Sequence, residues 1–214
     1  MRLRRLIPLA FGSFLLLVVA VAGASRAFNA SGAQAALTAA AVAIYLVWGG
    51  LESWLVSARE VSLPDAKDDK GSCEMYALAQ GLTVMLAVLL PGARFSLLAS
   101  AVGLAILVGG AGFRLSAILT LGRFYSRRVR LLASHRVVTT GPYRLVRHPA
   151  YLGTLAGHLG FILVFGHWAP LLIWAVLFIP MVVRRIVVEE PVLFELEGYS
   201  EYARGRKRLL PFVW

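Results

Sequence analysis

Five long stretches of the chain carry no charge, and the charged residues crowd between them. Residues 6–25, 27–51, 75–93, 95–113 and 148–183 contain no Asp, Glu, Lys or Arg. A helix crosses roughly 30 Å of hydrocarbon with about 20 apolar residues at 1.5 Å each. The first four windows therefore predict one crossing apiece. The fifth is too long for one span and suits a tight hairpin. Its turn falls at Phe165-Gly166-His167-Trp168-Ala169-Pro170, where glycine and proline punctuate the run. Six crossings follow, the last two short or tilted. Helices are the only economical choice, because backbone amides in lipid must be satisfied within their own segment. The expected fold is all-α, a polytopic transmembrane bundle.

Composition agrees. Of 214 residues, 59% are apolar and 15% charged, with a mean hydropathy of +0.74. An ordinary soluble domain has roughly half and a quarter, so a chain solvated on all sides or disordered is excluded. A single cysteine, Cys73, excludes an intrachain disulfide, a CxxC pair and a thiolate zinc cluster, and four scattered histidines suggest no metal site. The net charge of +11 raises nucleic acid as a partner, but the distribution argues against it. With six spans, one side receives Arg2, Arg4, Arg5, Arg59, Lys67, Lys70, the basic run Arg123–Arg147, Arg184, Arg185 and the tail's Arg204, Arg206, Lys207 and Arg208. The other side has only Arg26 and Arg94. The positive-inside rule then puts both termini in the cytoplasm, where anionic headgroups attract each basic residue by about 1 kcal/mol. The first 25 residues also fit a cleavable signal peptide, but the further spans favour a retained helix. Asn29-Ala30-Ser31 matches a glycosylation acceptor. The preference for Arg over Lys, with abundant Ala, points to a bacterial chain, in which that triplet means nothing and the membrane is the inner one.

The chain divides into an N-terminal set of about four spans, 1–120, and a region 121–214 that holds the polar chemistry. Gly109-Gly110-Ala111-Gly112 lies within a lipid-length run and reads as close helix packing rather than a dinucleotide fingerprint. The stretch His135–Gly153 differs from the rest. Gly141-Pro142 signals a turn, and His148-Pro149 opens the next span, with proline at the favoured first helical position. The amides of Ala150 and Tyr151 then leave the helix start open as a seat for an anion, or they simply face headgroups with His148 as cap. At the inner end of the last span, Arg185 and Glu189 share a helix face. They either neutralise each other or serve an anion and a cation of a ligand. Ionisable residues near apolar depth are functional candidates by default, and two polar pieces flanking one hairpin predict a pocket at the lipid boundary. Glu52 and Arg114 either pair or snorkel. His158 and His167 read as packing or interfacial residues, and Trp168, Trp174, Phe212 and Trp214 as interface anchors.

Taken in order, His135-x-x-Val138, Gly141-x-Tyr143, Arg147-His148-Pro149-x-Tyr151-x-Gly153, Arg185-x-x-x-Glu189-Glu190, Tyr199-x-x-Tyr202 and a late Pro211 resemble the isoprenylcysteine carboxyl methyltransferase family over about residues 121–214. The resemblance implies an integral membrane enzyme that takes its methyl group from S-adenosylmethionine, bound by the loop and hairpin. It implies cofactor contacts at His135, Arg136, Val137, Val138, Tyr143, His148, Pro149, Ala150, Tyr151, Glu189 and Glu190. It further implies catalytic roles for Arg185 and Glu189, and acceptor contacts at Arg185, Tyr199 and Tyr202. Two positions depart from the family. Arg128 stands where eukaryotic members have glutamine, and Gly198 sits nearer Tyr199 than the family's glycine does.

The residues fit that chemistry on their own account. A methyl on sulfonium needs in-line approach, which positioning can supply. A carboxylate acceptor is already ionised and needs a cation to hold it, which Arg185 provides through its planar fork. These points favour O-methylation of a carboxylate on a lipophilic, isoprenoid- or lipid-like molecule. N-methylation of a phospholipid headgroup is the nearest rival, and a non-enzymatic lipid-binding scaffold the rival of another class. The oligomeric state is not legible.

Overall fold

A computed structural model describes residues 2–60, 70–91, 95–131, 135–210 and 214, with side chains omitted for 2–10 and 57–60. The expectations attached to the side chains of Arg2, Arg4, Arg5 and Arg59, and to Lys67, Arg94, Pro211 and Phe212, lie outside the described residues. Those described form helices α1 (Arg2–Phe28), α2 (Gly32–Glu60), α3 (Ser72–Leu89), α4 (Leu97–Leu121), α5 (Pro149–Phe165), α6 (Trp168–Ile173), α7 (Ile179–Leu193) and α8 (Tyr199–Arg204). A π-helical turn, Trp174–Phe178, joins α6 to α7 without a break. It ends two residues before Pro180, which has no N–H to continue an ordinary helical ladder.

The caps follow the sequence. Asn29 closes α1 by donating from Nδ2 to the Ser25 carbonyl at 2.8 Å. Ser96 Oγ accepts from Ala99 N at the start of α4, and His148 with Pro149 begins α5. The hairpin turn sits where expected. Gly166, at φ 69°, ends α5 in the left-handed region, and the next residue, His167, caps α6 by accepting from Ala169 N at 3.0 Å.

Five segments are long and apolar enough to cross a membrane: Phe11–Phe28, Gly32–Val56, Ser72–Leu89, Leu97–Phe124 and Trp168–Leu193. The remaining apolar helix, α5, has 17 residues, about 25 Å, and is shorter than these five. The hairpin is thus unequal, one short arm and one full-length arm. The longer arm runs on past Arg184 because Arg185 is buried against its neighbours, so the charge does not end the span. Large apolar side chains, among them Phe14, Leu17, Leu98, Val102, Leu119 and Val176, remain exposed, as a lipid-facing surface requires.

Packing centres on α4 against α5, with α1 on α2 and α3, and α3 on the α6–α7 arm. One core gathers Leu15, Val19, Tyr45, Trp48, Val84, Leu107, Phe161 and Phe165 within the bundle. A second gathers Val56, Ile118, Tyr125, Tyr143, Tyr199 and Tyr202 where α2 and α4 meet the loop and α8. His158 is fully buried, its Nε2 3.2 Å from the Tyr45 hydroxyl and its Nδ1 2.8 Å from the Thr154 carbonyl, so it belongs to the core. Trp174, half-buried, packs against both neighbouring clusters and donates from Nε1 to the Leu155 carbonyl at 3.2 Å.

Candidate functional site

The segment between α4 and α5 is threaded by three kinds of tie. Gly122, at φ 55°, ends α4 and turns the chain so that Phe124 stacks on His135, with ring centres 4.8 Å apart and planes within 8°. Gly141, also at positive φ, packs against Thr120 and starts the short 3-10 turn that buries Tyr143. The tail then pairs with the end of the loop. Arg147 N donates to Lys207 O at 2.8 Å and His148 N to Arg208 O at 2.9 Å, while the Tyr202 hydroxyl donates to Tyr143 O at 2.9 Å. A loop between two spans is thereby fixed from both sides.

Ion pairing sets the floor. Arg114 on α4 donates to Glu52 on α2 through Nε at 2.7 Å and Nη2 at 2.5 Å. Its remaining bonds go to Ala150 O, Thr154 Oγ1 and the Tyr125 hydroxyl. Glu52 and Arg114 are therefore a paired unit that grips the first turn of α5. Deleting one member of such a buried pair typically costs about 3–5 kcal/mol.

On α7, Arg185 donates to the Tyr151 hydroxyl at 3.2 Å, to Ser72 Oγ at 2.8 Å and to the Arg127 carbonyl at 2.5 Å. The same Tyr151 hydroxyl donates to Glu189 at 2.7 Å. Tyr151 thus links the two charged residues that the sequence put on one face. The hydroxyl orders them along a single wall.

All of this surrounds one cavity of about 310 Å³, at the lower end of the range for small-molecule sites. His135, Arg136, Val137, Val138, Tyr143, His148, Ala150, Tyr151, Arg185, Glu189, Tyr199 and Tyr202 all line it. Pro149 and Glu190 do not. Pro149 is buried as the first residue of α5 and has no polar group beyond its carbonyl. Glu190, one residue past Glu189, is turned away and held by Arg147 at 2.7 Å, Arg208 at 2.7 Å and His148 at 3.4 Å.

Much of the remaining lining comes from α1, α2 and α3: Phe11, Gly12, Leu15, Leu16, Trp48, Gly49, Cys73, Tyr76 and Gln80 among others. None of these was singled out as a site residue. Tyr76 and Gln80 could have been, since two polar groups four apart on one face of an apolar span are unusual.

Burial keeps the imidazole and phenols of the wall neutral, beside its charged Arg185 and Glu189. Burial lowers the His135 imidazole from its ordinary value, partly offset by Glu189. It raises the Tyr143 and Tyr199 phenols well above theirs and pushes Tyr202 up to about 12. These phenols act as hydroxyls, not phenolates. Glu189 can hold a cation in the cavity, and Arg185 can hold an anion beside it. Among the described residues no cluster of histidine, cysteine and carboxylate has the makings of a metal site.

Comparison with known proteins matches this region and extends beyond it. A family profile described as phospholipid methyltransferase matches residues 98–199. Protein-S-isoprenylcysteine O-methyltransferase A of Arabidopsis thaliana is 32% identical over 146 residues, 64% of this chain and 74% of the relative. A probable protein-S-isoprenylcysteine O-methyltransferase of Oryza sativa subsp. indica is 30% identical over 142 residues, 64% and 73% respectively. The Schizosaccharomyces pombe enzyme of the same name is 32% identical over 102 residues, 47% and 43%. With its helical bundle, its loop-and-hairpin cavity and relatives of this extent, the chain belongs to the isoprenylcysteine carboxyl methyltransferase family, a family of membrane methyltransferases.

Proposed function

We propose that the protein transfers a methyl group from S-adenosylmethionine to the carboxylate of a lipophilic acceptor held between its helices. The observation that carries this reading is the shared wall. Glu189 and Arg185, of opposite charge, face one cavity that is polar at the loop end and apolar between α1, α2 and α3. S-adenosylmethionine supplies an activated methyl on sulfonium. The residues at the polar end suit such a group: Glu189 offers a carboxylate to its positive charge, and two buried polar atoms in the same wall, His135 Nδ1 and the Tyr199 hydroxyl, have no partner of their own among the described residues. Buried polar atoms are rarely left so. His148, Tyr151, Tyr143 and Tyr202 would complete the enclosure, and the backbone of Arg136, Val137, Val138 and Ala150 its edges.

The acceptor side follows from Arg185. Its guanidinium is fixed by Ser72, Tyr151 and the Arg127 carbonyl before any ligand arrives. A carboxylate can be held without reorganising it. An ionised carboxylate releases no proton on methylation, so no base is required. An amine would need one. The part of the cavity lined by Phe11, Leu15, Leu16 and Trp48 offers an apolar seat for an oily tail. The isoprenylated substrate in the relatives' names is of this lipophilic acid class. The loop end of the cavity is lined by Arg127, Arg128, Arg130, Arg136 and Arg147, and this basic side supports a cytoplasmic orientation, both termini inside, against anionic headgroups of a bacterial inner membrane.

Calorimetry on the detergent-purified protein is expected to show stoichiometric S-adenosylmethionine binding, weakened by Glu189→Gln. Labelled methyl transferred into membrane extracts is expected to be released by mild base, as an ester is. Base-stable label would identify an amine acceptor and overturn the carboxylate reading. Absence of cofactor binding would leave the lipid-binding scaffold in its place.

A further inference from the structure

Glu190 lies just outside the cavity, is 4% exposed and is shared by three segments of the chain. One carboxylate oxygen accepts from Arg147 Nη1 at 2.7 Å and faces His148 Nε2 at 3.4 Å. The other accepts from Arg208 Nε at 2.7 Å. Arg208 belongs to the tail, and the same stretch of tail bonds the backbone of Arg147 and His148. The result is a clamp that closes the tail onto the turn preceding α5, with His148 between the clamp and the cavity.

The chemistry at His148 is directional. A carboxylate only accepts hydrogen bonds, so the ring nitrogen facing Glu190 carries the proton. In the neutral imidazole the other nitrogen, Nδ1, is then an acceptor. His148 lines the cavity, and among the described residues no bond to Nδ1 is formed. We propose that Glu190 and Arg208 are positioning residues for methyl transfer. Glu190 fixes His148 as the Nε2–H tautomer, so that Nδ1 is presented to the cavity as an acceptor, and Arg208 holds the tail in the register that keeps the carboxylate there. Neither touches a ligand. Carboxylates that orient a histidine ring in this way govern the function of the histidine they support. The proposal rests on the reading of the cavity as a methyl-donor site, and it predicts that His148 receives an N–H of the donor.

The test separates the two. Nitrogen-15 spectra of histidine-labelled protein in detergent report the tautomer of each ring, and with four histidines the His148 signal is identified by its loss in H148Q. In the wild type without ligand, His148 is expected as Nε2–H. An Nδ1–H ring would overturn the proposal whether or not the protein binds S-adenosylmethionine, and calorimetry on the same sample decides the donor reading alone. E190Q, whose amide can donate as well as accept, is expected to mix the tautomers and to raise KM for the donor by about tenfold or more, the scale of one charge-assisted hydrogen bond, with kcat nearly unchanged. E190D, which keeps the charge, is expected to restore the tautomer and part of the affinity. R208Q is expected to loosen the carboxylate, mixing the His148 tautomers in part and raising KM by less than E190Q does. Unchanged spectrum and KM in E190Q would overturn the proposal, and should E190Q fail to fold, the wild-type spectrum and R208Q decide it.

Discussion

The Tyr151 hydroxyl bonds both Arg185 and Glu189, so the two charges of the site are oriented through a neutral group that neither can displace cheaply. Arg185 is only 3% exposed and reaches three partners on α3, α5 and the loop. An ammonium at the end of a lysine cannot spread its donors that way. Arg185→Ala is therefore expected to leave donor affinity, measured by calorimetry, within experimental scatter while turnover falls at least ~100-fold, the scale for a lost charge-stabilising donor. Arg185→Lys should recover little of it. Equal loss of binding and turnover would make the residue a structural one. His135 makes a different prediction. Its imidazole ordinarily titrates near 6.5, and burial lowers it in the folded chain. Between those two values the unfolded chain takes up a proton that the folded chain does not. The contribution of His135 to stability is thus whole above about pH 6.5 and declines as the pH falls toward the folded value. Melting temperature should drop between pH 7.5 and 5.5, and by less in His135→Phe, which keeps the stack on Phe124 without the titration. Parallel curves for the two proteins would remove His135 from this account.

The element that sets the site's geometry is the seam between α4 and α5. Gly110 lies against the backbone of Gly157, and a Cβ on Gly153 would stand 2.6 Å from Arg114 N. Helices this close cannot accept a side chain at either position. Gly109 and Gly112, on the same helix and near in sequence, are exposed and have nothing within 4 Å of a Cβ. Gly110→Leu and Gly153→Leu are expected to lose the folded species on size exclusion, or to lower stability by about 3 kcal/mol or more. Gly109→Leu and Gly112→Leu should behave as the wild type. The contrast also marks what the sequence could disclose. Uncharged windows located every span, the Gly-Pro punctuation located the hairpin turn, and a run of small residues announced a tight seam. Which glycines of Gly109–Gly112 face it depends on helix rotation, and rotation is set by the partner α5. The same limit applies to Glu190. Adjacent to Glu189, it could be placed at the inner end of the last span, but its direction depends on a tail whose pairing with residues 146–148 no local pattern encodes.

At the scale of the whole molecule, the cavity draws on both parts of the chain. The loop, α5, α7 and α8 give it charge and hydrogen bonds, and α1, α2 and α3 give it an oily arm. The N-terminal helices had no motif to declare this, because an apolar wall is written in the same residues as a lipid-facing one. Only packing tells them apart. Gly12 is a direct probe of that arm. It lines the cavity, and a Cβ there would meet nothing within 4 Å, so a large side chain can enter the empty space without forcing α1 from its neighbours. Gly49 also lines the arm, but a Cβ there would stand 2.7 Å from Leu16, and substitution would disturb packing as well as volume. Gly12→Trp should therefore leave folding and S-adenosylmethionine affinity unchanged while methyl transfer to a lipophilic acceptor falls at least ~10-fold, the cost of losing one or two buried methylenes' worth of contact. A short, tail-less carboxylic acid, which needs no arm, should be affected far less. If the tryptophan slowed both acceptors alike, α1 would be only a lid over the reaction centre. If it slowed neither, the tail would have to leave the site by another route.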